Sequence, residues 1–274
     1  MYRDTIARYA EAGAHKADMV RAHLLSFLIG SALAGAYIGF GDIFMFTVGA
    51  HADPSWSHLV MGAVFASALT IVVFAGSELF TGTAMYMPFA ALRGDSGVGD
   101  MLRVWIACWL GNLVGAAVLA ALLHMAGGGV LLTDGSSEFF TVAAAKMAAP
   151  GYELFARGLL CNWLVCLAIW MCGRTENDAA KIALIFWPIA IFVACGFEHS
   201  VANMFVFALA LMGEHPETVT LGGAVHNLVW VTLGNLAGGG LMVGLGYWLQ
   251  ERGAERKVEA PAPAVQPSNA LPRA

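Results

Sequence analysis

The stretch Gly196-Phe197-Glu198-His199-Ser200-Val201-Ala202-Asn203-Met204 sets an acid, an imidazole and an amide inside a run apolar enough to cross a bilayer. A charged side chain at that depth costs at least about 2.5 kcal/mol, so such groups face a cavity or a pathway and serve a function. The segment therefore points to a protein that moves a small polar solute.

The rest of the chain supports a membrane setting. Of its 274 residues 59% are hydrophobic and only 12% are charged, about half the charge of a soluble domain, and the mean hydropathy is +0.70. A polytopic membrane protein follows. The 32 glycines suit helices that pack closely and backbone that borders a narrow passage. The net charge of −5 excludes little. Cys108, Cys161, Cys166, Cys172 and Cys195 all fall within apolar stretches without zinc-like spacing, and read as reduced packing residues. The polar start, with Arg3, Asp4, Arg8, Glu11, Lys16, Asp18 and Arg21, lacks the apolar core and cleavage site of a signal peptide. No sequence for ATP use is found, so accumulation must draw on an ion gradient.

Stretches long enough to cross about 30 Å of hydrocarbon cover residues 24–50, 59–92, 101–126, 154–172, 182–212 and 224–249. The reading is an all-α membrane protein of six transmembrane helices: a cytoplasmic segment 1–23, a channel domain 24–250 and a disordered cytoplasmic tail 251–274. The second and fifth stretches exceed one crossing and carry Gly, Thr, Glu, His and Asn near their middles, so both are expected to be interrupted. Interruption is tolerated only beside protein or water. Lys and Arg collect in the amino-terminal segment, the tail and the second and fourth loops, and are missing from the first and fifth. That bias puts both termini in the cytoplasm. Lys146 and Arg157, around the start of the fourth span, break the pattern.

A weak internal repeat matters more than its length. Gly76-Ser77-Glu78 matches Gly196-Phe197-Glu198, 120 residues on, and Gly111-Asn112-Leu113-Val114-Gly115 matches Gly234-Asn235-Leu236-Ala237-Gly238, 123 residues on. Two matches nearly in register indicate duplicated halves of three spans each. Three is odd, so the second half enters from the opposite face, the inverted-repeat plan that puts a site where broken helices meet.

With these residues the chain resembles the formate/nitrite transporter family, and within it the nitrite-channel branch. The likeness also runs through Leu79-Phe80-Thr81-Gly82, Cys161 to Trp170, His226 to Asn235 and Gly244 to Trp248. It implies a homopentamer of aquaporin-like protomers in a bacterial inner membrane, each with its own pore. The pore is expected to narrow at Phe65, Leu69, Leu79, Phe80, Val165 and Phe192, around a polar centre of Thr81 and His199. Lys146, Asn162, Glu198 and Asn203 match positions at the central site and outer vestibule. Asp42 departs from the pattern, standing where an apolar residue is usual.

A bare anion in an apolar constriction meets a Born cost of tens of kcal/mol. Helices resuming after Thr81 and after His199 would each bring about half a positive charge toward the midplane. Thr81, Asn162 and Asn203 offer neutral hydrogen bonds. Histidine's ordinary pKa, about 6.5, lets His199 hold or give a proton near neutral pH. Glu198 is expected either to approach His199 or to cap the broken helix, and Lys146 to gather anions. The expected partners are thus nitrite or another small monovalent anion, a proton and lipid, with no cofactor, metal, nucleic acid or enzymatic activity. Formate, hydrosulfide or a neutral solute are alternative cargoes. A haem-binding redox subunit, suggested by His58, His124, His199 and His226, is the competitor from another class.

Overall fold

The computed structural model describes residues 2–259, and within them every regular element is helical. A polar helix, α1 (Arg3–Ala22), precedes α2 (Leu24–Gly49) and α3 (Ser57–Ala75). Then come α4 (Phe80–Arg93), α5 (Val98–Met125), α6 (Ser136–Ala148) and α7 (Gly151–Cys172). The chain continues with α8 (Asp178–Ala194), α9 (Ser200–Met212) and α10 (Leu221–Ala237). A π-helical stretch, Gly238–Leu245, joins α10 to α11 (Gly246–Glu259). The final helix thus runs past residue 250, and residues 260–274 of the expected tail lie outside the described residues.

Among the described residues five helices are long and apolar enough to cross a membrane: Leu24–Gly49, Ser57–Ala75, Val98–Met125, Gly151–Cys172 and Leu221–Gly253. The fifth apolar stretch of the sequence supplies none of these. It is divided into α8, of 17 residues, and α9, of 13. The second stretch is divided in the same way into α3 and α4. Each division falls at a glycine in the left-handed region, Gly76 at φ 74° and Gly196 at φ 70°. Only glycine adopts that backbone without strain, so the breaks are written into the sequence.

Glycine also sets how closely the long helices approach. A Cβ on Gly115 of α5 would lie 1.7 Å from the Ala32 carbonyl oxygen of α2, and one on Gly35 would lie 2.0 Å from that of Asn112. Along α7 the same holds, with Gly234 of α10 2.2 Å from the Phe155 oxygen and Gly238, at the start of the π-helical stretch, 2.3 Å from that of Leu159. The duplicated Gly-Asn-x-x-Gly segments are therefore the contact seams of these two helix pairs, as small residues commonly are in membranes. The faces turned away, with Leu25, Ile29, Ile106, Val114 and Leu122 among them, leave large apolar side chains exposed, as lipid contact requires.

Candidate functional site

The two breaks are held by matching clamps. Asn112 of α5 donates to the carbonyls of Ser31 (2.7 Å) and Glu78 (2.9 Å), and its side-chain oxygen accepts the Phe80 N–H (2.9 Å). Asn235 of α10 donates to those of Gly158 (2.8 Å) and Glu198 (3.0 Å) and accepts the Ser200 N–H (2.9 Å). The break backbones are also tied to neighbouring helices, Glu78 N–H to the Gly30 carbonyl and Glu198 N–H to that of Arg157. An irregular segment away from water must place its backbone groups somewhere. Here one asparagine per break takes two of them and ties the break to a carbonyl of a neighbouring helix.

His199 is the residue before α9, 3% exposed. Its Nδ1 accepts the Ala202 backbone N–H at 3.2 Å, which makes it the helix cap. An accepting Nδ1 carries no proton, so Nε2 carries one and points it at the Thr81 hydroxyl, 3.1 Å away, in the first turn of α4. The second half of one broken stretch thereby meets the second half of the other. Thr81 is in turn held by its carbonyl, which accepts from Asn162 Nδ2 at 3.1 Å and from Cys166 Sγ at 3.2 Å.

Glu198 turns away from the imidazole. Its Oε2 accepts from Lys146 Nζ at 2.9 Å and from Asn203 Nδ2 at 2.7 Å. Asn203 reaches Asn227 of α10 at 2.8 Å, and Asn227 donates to the Lys146 carbonyl at 2.9 Å. Glu198 neither caps α9 nor pairs with His199; the cap is His199 itself. On the other side of the molecule Lys16 of α1 forms an ion pair with Glu78 and lies 5.3 Å from the Tyr86 ring centre. This second lysine and glutamate repeat the arrangement of Lys146 and Glu198, and the sequence reading passed over Lys16. Its signal was the Glu78 match, since a carboxylate repeated at membrane depth needs a cation at both places.

Two cavities approach this centre. One, of about 160 Å³, is lined by Asp42, His58, Phe65, Lys146, Phe192, His199 and Asn203. The other, of about 270 Å³, is lined by Lys16, Leu69, Leu79, Gly82 and Tyr86. The first is walled by the Phe65 and Phe192 rings, edge to face at 5.9 Å, with the Phe192 ring stacked on His199 at 6.0 Å. Of the residues singled out by sequence, Phe65, Phe192, His199, Asn203 and Lys146 thus border one cavity and Leu69 and Leu79 the other. Thr81 and Glu198 are buried against them through hydrogen bonds. Asn162, also bonded to the Asn235 carbonyl at 2.7 Å, acts as a brace. Val165 is buried and borders neither cavity, whereas Phe80 borders a wholly apolar groove with Trp105 and Trp109. His226 bonds the Ala149 carbonyl at 3.1 Å.

α1 lies across the mouth of the Lys16 cavity. Tyr9 stacks on Tyr86 at 5.2 Å and donates to the Ile169 carbonyl, and Arg8 reaches Glu176 at 2.9 Å and the Gly173 carbonyl at 3.2 Å. The Arg8 hydrogen bond holds the Glu176 carboxyl below the usual carboxylate range.

A membrane bundle with two clamped breaks, a buried imidazole at one of two cavities and a lysine beside each is the build of a solute path. A family model, "Formate/nitrite transporter", matches residues 3–249, and the chain belongs to that family. Among its relatives is the nitrite transporter NirC of Escherichia coli, 50% identical over 258 residues, which cover 94% of this chain and 96% of the relative. The solved structure of an "FNT family ion channel" superposes with a TM-score of 0.88 at 49% identity, covering 90% of this chain and 99% of that one. A "Pentameric formate channel with formate bound" gives 0.72 at 29% identity, covering 84% and 98%.

Proposed function

We propose that the chain forms a channel for nitrite and related small monovalent anions in a bacterial cytoplasmic membrane, one path per protomer, in a pentamer. It is a transport protein and not an enzyme. The observation that carries the reading is His199, buried at the edge of the Lys146 cavity with its Nε2 aimed at Thr81, whose chain neighbours Leu79 and Gly82 border the Lys16 cavity. Half-identity to a nitrite transporter over nearly the whole chain favours nitrite over formate. The pentamer rests on the assembly named for the formate channel.

The Lys and Arg bias orients the path, with the Lys16 cavity opening to the cytoplasm and the Lys146 cavity outward. Six spans in two inverted halves, the aquaporin-like plan, are supported by the paired clamps of Asn112 and Asn235. In this reading α3 with α4 forms the second span and α8 with α9 the fifth. Both α4 and α9 begin at the centre, so each directs the equivalent of about half a positive charge there.

These dipoles and the Nε2–H lower the cost of an anion that leaves water for the Phe65 and Phe192 passage. His199 gives up a proton only after Nδ1 has gained one, and that step releases the Ala202 N–H from its cap. Protonation of the ring is therefore coupled to the start of α9. Lys146, although engaged by Glu198, still borders the outer cavity and draws anions to it.

The test is flux of labelled nitrite into proteoliposomes with formate and hydrosulfide as competitors. Nitrite flux that formate suppresses only at higher concentration is expected. Flux of formate alone, untouched by nitrite, would overturn the assignment of cargo.

A further inference from the structure

Asp42 follows Gly41 on α2, where a Cβ would lie 2.4 Å from that of Ala68 and 3.3 Å from the Phe65 ring. The next residue, Asp42, lines the same cavity as the Phe65 and Phe192 pair. Asp42 is 1% exposed, it borders the Lys146 cavity, and its Oδ2 is buried without a hydrogen-bond partner among the described residues. An orphaned buried carboxyl oxygen is expensive. It is kept where something outside the chain completes it.

The walls of the cavity decide what that is. The titratable side chains that border it besides Asp42 are His58 from α3, Lys146 from α6 and His199 ahead of α9. Lys146 is engaged by Glu198 and His199 by Thr81; α1 and α5 contribute nothing to the lining. A lysine on the wall disfavours a metal ion or ammonium as the missing partner. What remains is a solute that meets a carboxyl oxygen through a proton and tolerates a neighbouring cation. A small weak acid satisfies both conditions.

On the reading that this cavity is the outer end of an anion path, we infer that Asp42 is a second cargo-contacting group, reached before His199, whose Oδ2 shares one proton with an oxygen of the weak acid. The complex holds two oxygens and a single proton, with a total charge of −1 whichever oxygen carries it. No covalent bond of the cargo other than O–H changes. The shared proton stays with Asp42 when the anion moves on to His199, which borders the same cavity. Asp42 thus collects the anion, and the proton that travels with it through the apolar passage is the one His199 supplies.

Asp42→Asn keeps the shape and a hydrogen bond but cannot share a proton, and Asp42→Ile restores an apolar wall. Both are read in full-length protein, as nitrite flux into proteoliposomes over a range of external pH. The wild-type KM for nitrite is expected to fall as the outside is acidified. Both variants should flatten that dependence and raise the acidic KM about tenfold, what one charge-assisted hydrogen bond supplies.

Infrared difference spectra on adding nitrite or formate give a second reading. A carboxyl C=O band should respond in the wild type and be missing in Asp42→Asn. An unchanged KM profile with an unchanged band would show that water alone completes Oδ2, and would overturn the inference. Higher flux in both variants at every pH would do the same, since it would mark Asp42 as a repelling charge. A wild-type channel that carries no anion would instead defeat the functional reading, and the infrared band would still decide what Asp42 binds.

Discussion

At residues 76–79 the chain leaves α3 through a left-handed glycine, is pinned by Asn112 and starts α4 from Leu79. At residues 196–199 it repeats each step, with Asn235 as the pin, and starts α9 from His199. The backbone at the two starting residues is nearly the same, φ −98° and ψ 126° at Leu79 against φ −110° and ψ 114° at His199. The scaffold is thus copied while the chemistry is not. One side chain at one cap separates an apolar wall from a group that holds a proton, and the copied clamp is what allows the exchange without refolding the break.

The largest expected effect tests whether the clamps are equivalent. Asn112→Ala and Asn235→Ala each remove the side-chain partner of two buried backbone groups of the break, at roughly 1–3 kcal/mol apiece. Thermal unfolding of the purified oligomer should fall by a similar, large amount in both. A large loss at one site and none at the other would break the comparison.

A smaller and unequal effect is expected at the two lysines. The Glu198 side chain is 3% exposed and that of Glu78 is 24% exposed. Removing the partner of a buried charge costs about 3–5 kcal/mol, whereas a wetter pair gives about 1 kcal/mol or less. Lys146→Met should therefore lower the melting temperature more than Lys16→Met. It should also weaken uptake at low external nitrite, while an unaltered concentration dependence would remove Lys146 from the anion path.

The smallest effect concerns α1, which covers one mouth only. Glu176 has a folded pKa depressed below its ordinary 4.5 by Arg8. The contact is therefore fully present above pH 4.5 and is lost as pH falls through the depressed value. The protection factors of the α1 amides, with the intrinsic pH dependence of exchange divided out, should stay constant from neutral pH down to 4.5, and fall modestly at neutral pH in Glu176→Gln. Protection already lost well above pH 4.5 would show that another group holds the helix.

Much of this was legible in the sequence because the breaks leave marks. The excess length of the second and fifth stretches, with Gly, Thr, Glu, His and Asn near their middles, showed both as interrupted, and the repeated Gly-x-Glu and Gly-Asn-x-x-Gly showed that the two halves share a pattern. The asparagines inside that motif were harder to read, because a clamp and an interhelical hydrogen bond look alike until the break is placed beside them. Lys16 was missed for a different reason. α1 is polar and amphipathic, so its charges read as a solvated face, and only its docking brings one of them to Glu78.

Phe80 and Val165 show a further limit. Next to a break the helical register restarts, and apolar side chains one residue apart, such as Leu79 and Phe80, end on opposite sides, one at a cavity and one at the apolar groove. The stretch at Gly238-Gly239-Gly240 likewise gave no sign of its π-helical turn. Asp42 was visible as an oddity, but its burial beside a cavity shared with α3, α6 and α8 was not.

The central claim is that the ring at the second break, and not the scaffold around it, carries the proton dependence of transport. Nitrite-driven proton movement into proteoliposomes should be lost in His199→Asn, with the oligomer intact and a pH-independent flux remaining. Full proton coupling in that variant would contradict the account.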